Sequence, residues 1–439
     1  MKFFKVHFLA VTAVTGAMLL LGFAPEAGAV PSYARQTGLA CAACHTTYPE
    51  LTAFGRMFKL NGYTVTGMHQ IQSEPTTGMP GLKINEIPPL SAMLQLSTTS
   101  IAKRPANTQN DSVGFPQEAS LFFAGEIAEH LGSFVQMTYA QDSGKFEWDN
   151  TDIRYANQNE NAVWGMTLNN NPTVQDVWNS TPAWGFPFAS SGAAPAPSAT
   201  TLIDGTLAKE VAGIGGYGFF ANHFYAELTG YRSAHQGLAA PDATESNTIN
   251  NLAPYWRLAW QNTSGPDYFM IGTYGMSAHL FPGTGVEGTT NNYTDTALDA
   301  QYERQLGANM LALRGTYIHE NKDLNATFNA AGSSNPSDKL NTLKLNGTYH
   351  IAGRYAVSLG HSRTTGTSDA TLYANSPTNG RPDSASWILQ GTYLPWQNVQ
   401  ISAQYTWYTK FNGATQNYDG NGRNASDNNA LYMLFWLMW

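Results

Sequence analysis

From about Pro88 to Trp439, apolar and polar residues alternate with a period of two. In VQISAQYTW, Val399, Ile401, Ala403, Tyr405 and Trp407 share one side of an extended chain, and Gln400, Ser402, Gln404 and Thr406 share the other. In TLKLNGTYH, Leu343, Leu345, Gly347 and Tyr349 oppose Thr342, Lys344, Asn346, Thr348 and His350. In MLALRGTY, Leu311, Leu313, Gly315 and Tyr317 oppose Ala312, Arg314 and Thr316. This alternation predicts sixteen strands, at 88–102, 117–128, 133–141, 146–157, 161–170, 209–221, 223–234, 251–263, 268–281, 293–305, 309–320, 340–351, 354–364, 384–394, 399–411 and 429–439. Short connections (129–132, 158–160, 222, 264–267, 306–308, 352–353, 395–398) alternate with others that are mostly long and rich in Gly, Asn, Ser, Thr and Pro. That rhythm is expected of an all-β, sixteen-stranded antiparallel transmembrane barrel with short periplasmic turns and long outer loops. An even strand count puts both termini on the periplasmic side.

Two details bear on the barrel. Gly-Thr-Tyr recurs at 272–274, 315–317, 347–349 and 391–393. In each case Tyr is expected on the apolar face near a strand end, which suits an aromatic girdle. The last strand, ALYMLFWLMW, is apolar on both parities, so Tyr432, Leu434 and Trp436 must face lipid or pack on something inside. A secreted β-sandwich would need half of the alternating residues in a shared core. The Gln, Thr, Asn and Arg on the polar parity argue against that.

Ahead of the strands the pattern differs. Residues 1–29 carry Lys2 and Lys5, an apolar run from Leu9 to Phe23, and Ala27-Gly28-Ala29. They read as a secretory signal peptide, with the mature chain starting near Val30. The apolar run is short for a membrane helix of ~20 residues. Residues 30–80 form a second unit and 81–439 the barrel. After Pro49, Leu51, Phe54 and Phe58 fall on one helical face, and Asn61-Gly62 stops the helix.

Composition agrees with this division. Charged residues make up only 12% of the chain, about half the usual ~25%, and aromatics make up 12%. Loss of Lys2, Lys5 and Glu26 takes Lys+Arg from 23 to 21 and Asp+Glu from 31 to 30, so net charge becomes −9. That mild acidity argues against nucleic acid as a partner.

The only two cysteines lie in Cys41-x-x-Cys44-His45. A structural zinc site needs four protein ligands, usually from two clusters, and there is one cluster here. A thiol–disulfide site would sit near a βαβ pattern, which is absent. A disulfide across two residues would staple almost nothing. The remaining reading is covalent attachment of one haem c, with Cys41 and Cys44 as thioethers and His45 as the proximal iron ligand. Phe54 and Phe58 are candidates to pack on the haem, and Arg56 and Lys59 to meet its propionates. Met57, Met68, His69 and Met79 are in range as distal ligands, and a five-coordinate iron is also open.

The stretch PSYARQTGLACAACHTTYPELTAFGRMFKLNGYT resembles the N-terminus of the fused monohaem cytochrome–porins of iron-oxidising bacteria. The resemblance rests on Ala34-Arg35-Gln36-Thr37, the Cys-x-x-Cys-His motif, Pro49-x-Leu51, Phe54-Gly55-Arg56, Phe58-Lys59 and Gly62-Tyr63-Thr64. It implies an outer-membrane oxidoreductase of the Fe(II):cytochrome c type. Extracellular Fe(II) would be the donor, and a periplasmic c-type cytochrome or other carrier the acceptor. The apolar band is ~25 Å tall, so the haem segment is expected to plug the lumen. Near the ~40-residue size at which chains rarely fold alone, it would fold around haem and against the wall, where Arg257, Arg314, Lys344 and Glu227 could hold it. The loop 171–208 carries Trp178, Trp184, Phe186 and Phe188. By resemblance to general porins it folds inward; the bland alternative is a surface loop. The outer loops are expected to offer Asp111, Glu118, Asp142, Glu147, Asp149 and Asp295 as carboxylates, which suit Fe(II), but no pair has ligand-like spacing. The competing functions are a diffusion porin with a tethered cytochrome using another donor, and outward electron transfer.

Overall fold

The computed structural model describes residues 30–65, 70–72, 81, 83–86, 88–140, 144–178, 191–234 and 247–439. The expected signal peptide, Met68, His69 and Met79 lie outside these residues. Sixteen antiparallel strands close into one barrel: β1 Leu90–Ile101, β2 Ser112–Ala128, β3 Leu131–Ala140, β4 Lys145–Asn159, β5 Ala162–Asn169, β6 Val211–Phe220, β7 Phe224–Ser233, β8 Ala253–Ser264, β9 Asp267–Leu280, β10 Asn291–Leu306, β11 Asn309–Asp323, β12 Ser337–Ile351, β13 Tyr355–Gly366, β14 Ser384–Trp396, β15 Val399–Lys410 and β16 Ala430–Met438. Each pairs with its sequence neighbours, and β16 closes on β1 with Met438 opposite Met93 and Trp436 opposite Gln95. A small ribbon, Gln70–Gln72 with Lys83–Asn85, precedes the barrel and was not expected.

The alternation is realised as the pattern requires. Leu258, Ile271, Leu298, Leu345 and Leu359 point outward and are exposed. Arg154, Arg257, Thr342, Thr348 and Gln390 point inward and are buried. An outer surface this apolar is matched to lipid, where a closed barrel leaves no unpaired edge. Among the described residues no helix is long and apolar enough to cross a membrane.

Two expectations need correction. Strand β2 starts at Ser112, ahead of the expected 117. Pro116, which reads as a strand breaker, sits where the β1–β2 register shifts between Gln95/Glu118 and Ser97/Gly114, and a bulge tolerates a missing N–H. Tyr274, one of the expected girdle tyrosines, points inward and is 1% exposed. It lies against the Arg257 guanidinium, 5.1 Å from the ring centroid. Tyr317 and Tyr349 do face outward and are exposed, whereas Tyr393, on the same parity, is buried with its ring stacked on exposed Tyr355.

The N-terminal segment lies inside the barrel at the short-turn end. It forms α1 Pro31–Thr37, α2 Cys41–Cys44 and α3 Ala53–Leu60. Proline opens α1 and left-handed Gly38 closes it. The Thr52 hydroxyl caps α3 by accepting from Gly55 N at 3.1 Å. Its wall partners sit within a few residues of short turns: Ser91, Ser133, Tyr268, Glu303, His350 and Gln400. The expected plug is thus present, and both barrel ends of the chain, Leu90 and Met438, share its side.

The long loop after β5 also turns inward. Thr173, Val174, Gln175, Asp176, Val177 and Trp178 are buried; Trp184, Phe186 and Phe188 lie outside the described residues. Arg257 Nη2 donates to Asp299 at 2.7 Å, and its Nε lies 3.5 Å from Asp176. Further along, Leu202 N donates to Glu320 at 2.7 Å and Ile203 N to Asp295 at 2.8 Å. Lys344 clamps Asp204 at 2.5 Å. Asp295 is therefore a lumen residue, not an outer-loop carboxylate.

Leu345→Arg, on the lipid face, is expected to cost about 2–4 kcal/mol of barrel stability in a bilayer. Glu129→Arg, in the exposed β2–β3 turn, should change stability by less than about 0.5 kcal/mol. Urea unfolding in lipid vesicles compares the two.

Candidate functional site

The Cys-x-x-Cys-His turn is held from both sides. His45 N donates to Cys41 O at 2.8 Å, and Thr52 N to Cys44 O at 2.9 Å. Helix α3 packs on the turn through Gly55, where a Cβ would come within 2.3 Å of the Cys44 carbonyl oxygen. Only hydrogen fits there, so Gly55, Phe58 and Lys59 form the inner face of α3. This corrects the expected face. Phe58 lines the cavity beside the turn, but Phe54 sits one residue round from Gly55 and is 42% exposed.

Empty space of about 910 Å³, its open mouth included, lies between the segment and the wall. One side is the N-terminal segment: Cys44, His45, Tyr48 and Phe58. The other is the barrel wall at its closing seam: Met93 of β1, Phe122 of β2, Phe134 of β3, and Trp436 and Met438 of β16. Val174, from the inward loop, also lines it.

His45 Nδ1 lies 3.2 Å from the Glu50 carbonyl oxygen. A carbonyl accepts only from N–H, so this contact puts the proton on Nδ1 and leaves the Nε2 lone pair free. Burial pushes the His45 pKa down to about 4, so the ring is neutral, the form that binds a metal. Cys41 and Cys44 are free thiols. Burial pushes Cys41 up to about 12 and Cys44 up to about 11. Thiols this hard to ionise are poor exchange catalysts, which disfavours a redox-disulfide role. Trp436 Nε1 is buried with no hydrogen-bond partner. Such an orphan donor on a cavity wall is costly unless a ligand accepts from it. An apolar cleft with one neutral imidazole, the Cys44 thiol, an unmet N–H and, beside it, the buried Cys41 thiol hydrogen-bonded to Tyr48 OH fits a haem c and its carboxylates.

The other expected residues go elsewhere. Arg56 makes a two-pronged pair with Glu303 at 2.9 and 3.2 Å and covers the Tyr268 ring at 4.4 Å. It anchors the plug and is not a cavity residue. Met57 packs on the cluster around Leu60, Val163 and Trp178, away from the cavity. Lys59 lines the cavity but its amine donates to the Val174 and Asp176 carbonyls. Of the four lumen residues suggested as clamps, Arg314 is the one that grips the segment, through Glu50. Among the described residues no three His, Cys, Asp or Glu side chains group to hold a metal ion.

Sequence reasoning missed the wall half of the site. A signal for it existed. Met93, Phe122, Phe134 and Trp436 are apolar residues on the polar parity of four neighbouring strands.

No family model matches the chain, and no curated protein matches it. Solved structures do. Salmonella typhi OmpF in complex with daunomycin aligns at TM-score 0.50 and 12% identity, covering 80% of this chain and 97% of that one. The trimer form of OmpT from Vibrio cholerae aligns at 0.47 and 13% identity, covering 80% and 98%. The anion-selective porin of Comamonas acidovorans aligns at 0.46 and 11% identity, also covering 80% and 98%. The OmpF likeness shows a porin-type fold.

The Glu50 carboxylate is the electrostatic anchor of the segment. Its Oε2 lies 3.0 Å from His350 Nε2, and Arg314 donates to Oε1. Burial alone would raise its pKa, but Arg314 and His350 outweigh that and hold it well below the usual carboxylate range. Glu50→Gln is expected to loosen the plug by about 3 kcal/mol, seen as faster proteolysis of residues 30–65 from an otherwise resistant barrel. Because the docked pKa is depressed, the pair's stabilisation is complete above about pH 4.3, the usual Glu value. It should fade only as pH falls further, toward the docked pKa.

Proposed function

We propose that this chain is an outer-membrane electron-transfer barrel that oxidises extracellular Fe(II) and delivers electrons to a periplasmic c-type cytochrome or similar carrier. The observation that carries the reading is the cavity between the Cys-x-x-Cys-His turn and the barrel seam. It gives one cofactor a place inside the membrane protein and at its short-turn end. In this reading Cys41 and Cys44 would hold a haem c as thioethers, His45 would ligate its iron, and Trp436 would donate to a propionate. When bound, the haem supplies a one-electron iron couple. Phe58, Phe122 and Phe134 line the cavity and would exclude water from a bound haem, which would raise its potential with the other surroundings.

The short-turn end and both termini face the periplasm, and the long loops face outward, as in outer-membrane barrels. Each Fe(II) gives up one electron outside, so insoluble Fe(III) stays there. The N-terminal segment and the inward loops at 171–178 and 201–207 occupy the lumen, and this weighs against free diffusion of solutes.

Two measurements test the proposal. Denaturing gels should show haem that stays with the chain, lost in Cys41→Ser/Cys44→Ser. Stopped-flow mixing of oxidised protein with Fe(II) should reduce the haem within the mixing series. A haem that forms but ignores Fe(II) overturns the donor assignment. Large steady channels in planar bilayers would instead support the diffusion porin.

A further inference from the structure

Met93 and Met438 stand directly opposite each other across the β16–β1 seam. Both point inward, line the cavity that holds His45, and are 3% and 5% exposed. We infer that this methionine pair of the barrel wall supplies the sixth ligand of the iron. The inference rests on the haem reading above and deepens it.

The other Lewis bases on the cavity wall are committed. Tyr33 OH donates to Ser133 O at 2.6 Å, Tyr63 OH to Asp152 at 2.6 Å, and Tyr48 OH to the Cys41 sulfur at 2.9 Å. The Lys59 amine is held by two backbone carbonyls. Met57 packs into a different cluster. Among the described residues on the cavity wall the two thioethers remain, and a thioether is an established ligand of c-type haem iron alongside histidine. Met93 sulfur has one weak neighbour, the Gln95 amide at 3.8 Å, which ligation would replace. Met438 is the penultimate residue, yet it is not loose. Its N–H donates to Asn398 O at 3.0 Å, and Asn398 Nδ2 donates back to its carbonyl at 2.8 Å.

The arrangement has a structural consequence. Histidine on the plug and methionine on the seam would make the cofactor a cross-link between the two parts of the chain. Plug docking and barrel closure would then be tied to haem loading.

The test uses full-length protein in detergent. Ferric wild-type protein should show the far-red sulfur-to-iron charge-transfer band, and iron-edge X-ray absorption should show one sulfur bonded to iron. Met93→Leu and Met438→Leu, which preserve apolar volume, identify which sulfur binds. The double variant should keep covalent haem and the fast-migrating folded band on unheated gels, lose the charge-transfer band, and drop in reduction potential. Met57→Leu should leave all of these unchanged. A wild-type haem without an iron–sulfur bond overturns the inference, as does a double variant that keeps the band. Failure to find covalent haem at all is a different result: it overturns the haem reading itself.

Discussion

The Glu50 carboxylate, buried inside a barrel between Arg314 of β11 and His350 of β12, holds the rest of the arrangement together. A charge there is tolerable only because it is paired. Its main chain does a second job, since the Glu50 carbonyl orients His45. The residue that locks the N-terminal segment to the wall is therefore the residue that aims the imidazole. Arg56 and Glu303 repeat the lock one helix further on. A segment of about 40 residues has too little core to fold alone, and here the barrel supplies the missing half.

That division of labour explains why the cavity is composite. The short helices bring two thiols and a histidine but little apolar surface. The wall brings Phe122, Phe134, Trp436 and the methionine pair, on the lumen-facing parity. Four adjacent strands break the usual alternation at the same depth, around the seam where the chain closes on itself. Elsewhere the lumen holds buried charge pairs, Arg154 with Asp152 and Arg257 with Asp176 and Asp299, beside apolar clusters packed on the inward loops. What singles out the site is that its apolar wall faces the Cys-x-x-Cys-His turn across an open cavity, whereas the apolar cluster around Leu202, Tyr255 and Met276 is filled by the inward loop.

Most of the barrel was legible because period-two alternation survives wherever one face meets lipid and the other a polar lumen. Strand β11 illustrates this, with Leu311 and Leu313 outward and Ala312 and Arg314 inward. The helix stop at Asn61-Gly62 was legible too, since Gly62 takes φ +68°. What was not legible depended on contacts between distant segments. Helical spacing put Phe54 with Phe58, but the close approach of Gly55 to Cys44 turned Phe54 to solvent. Tyr274 followed a girdle motif in sequence and an arginine in space. The inward apolar residues of β1, β2 and β3 look like scattered exceptions until the strands are laid side by side. The terminal strand, apolar on both parities, was the one place where the sequence raised the right question, and the plug is its answer.

Locating iron in the folded protein tests this picture most directly, by anomalous diffraction at the iron edge or by high-resolution electron microscopy in lipid. The expected result is a single iron inside the short-turn end, bonded to His45 Nε2, in a haem joined to Cys41 and Cys44 and enclosed by Trp436 and the Met93–Met438 seam. A barrel with no iron in that cavity, or with the N-terminal segment outside the lumen, would contradict it.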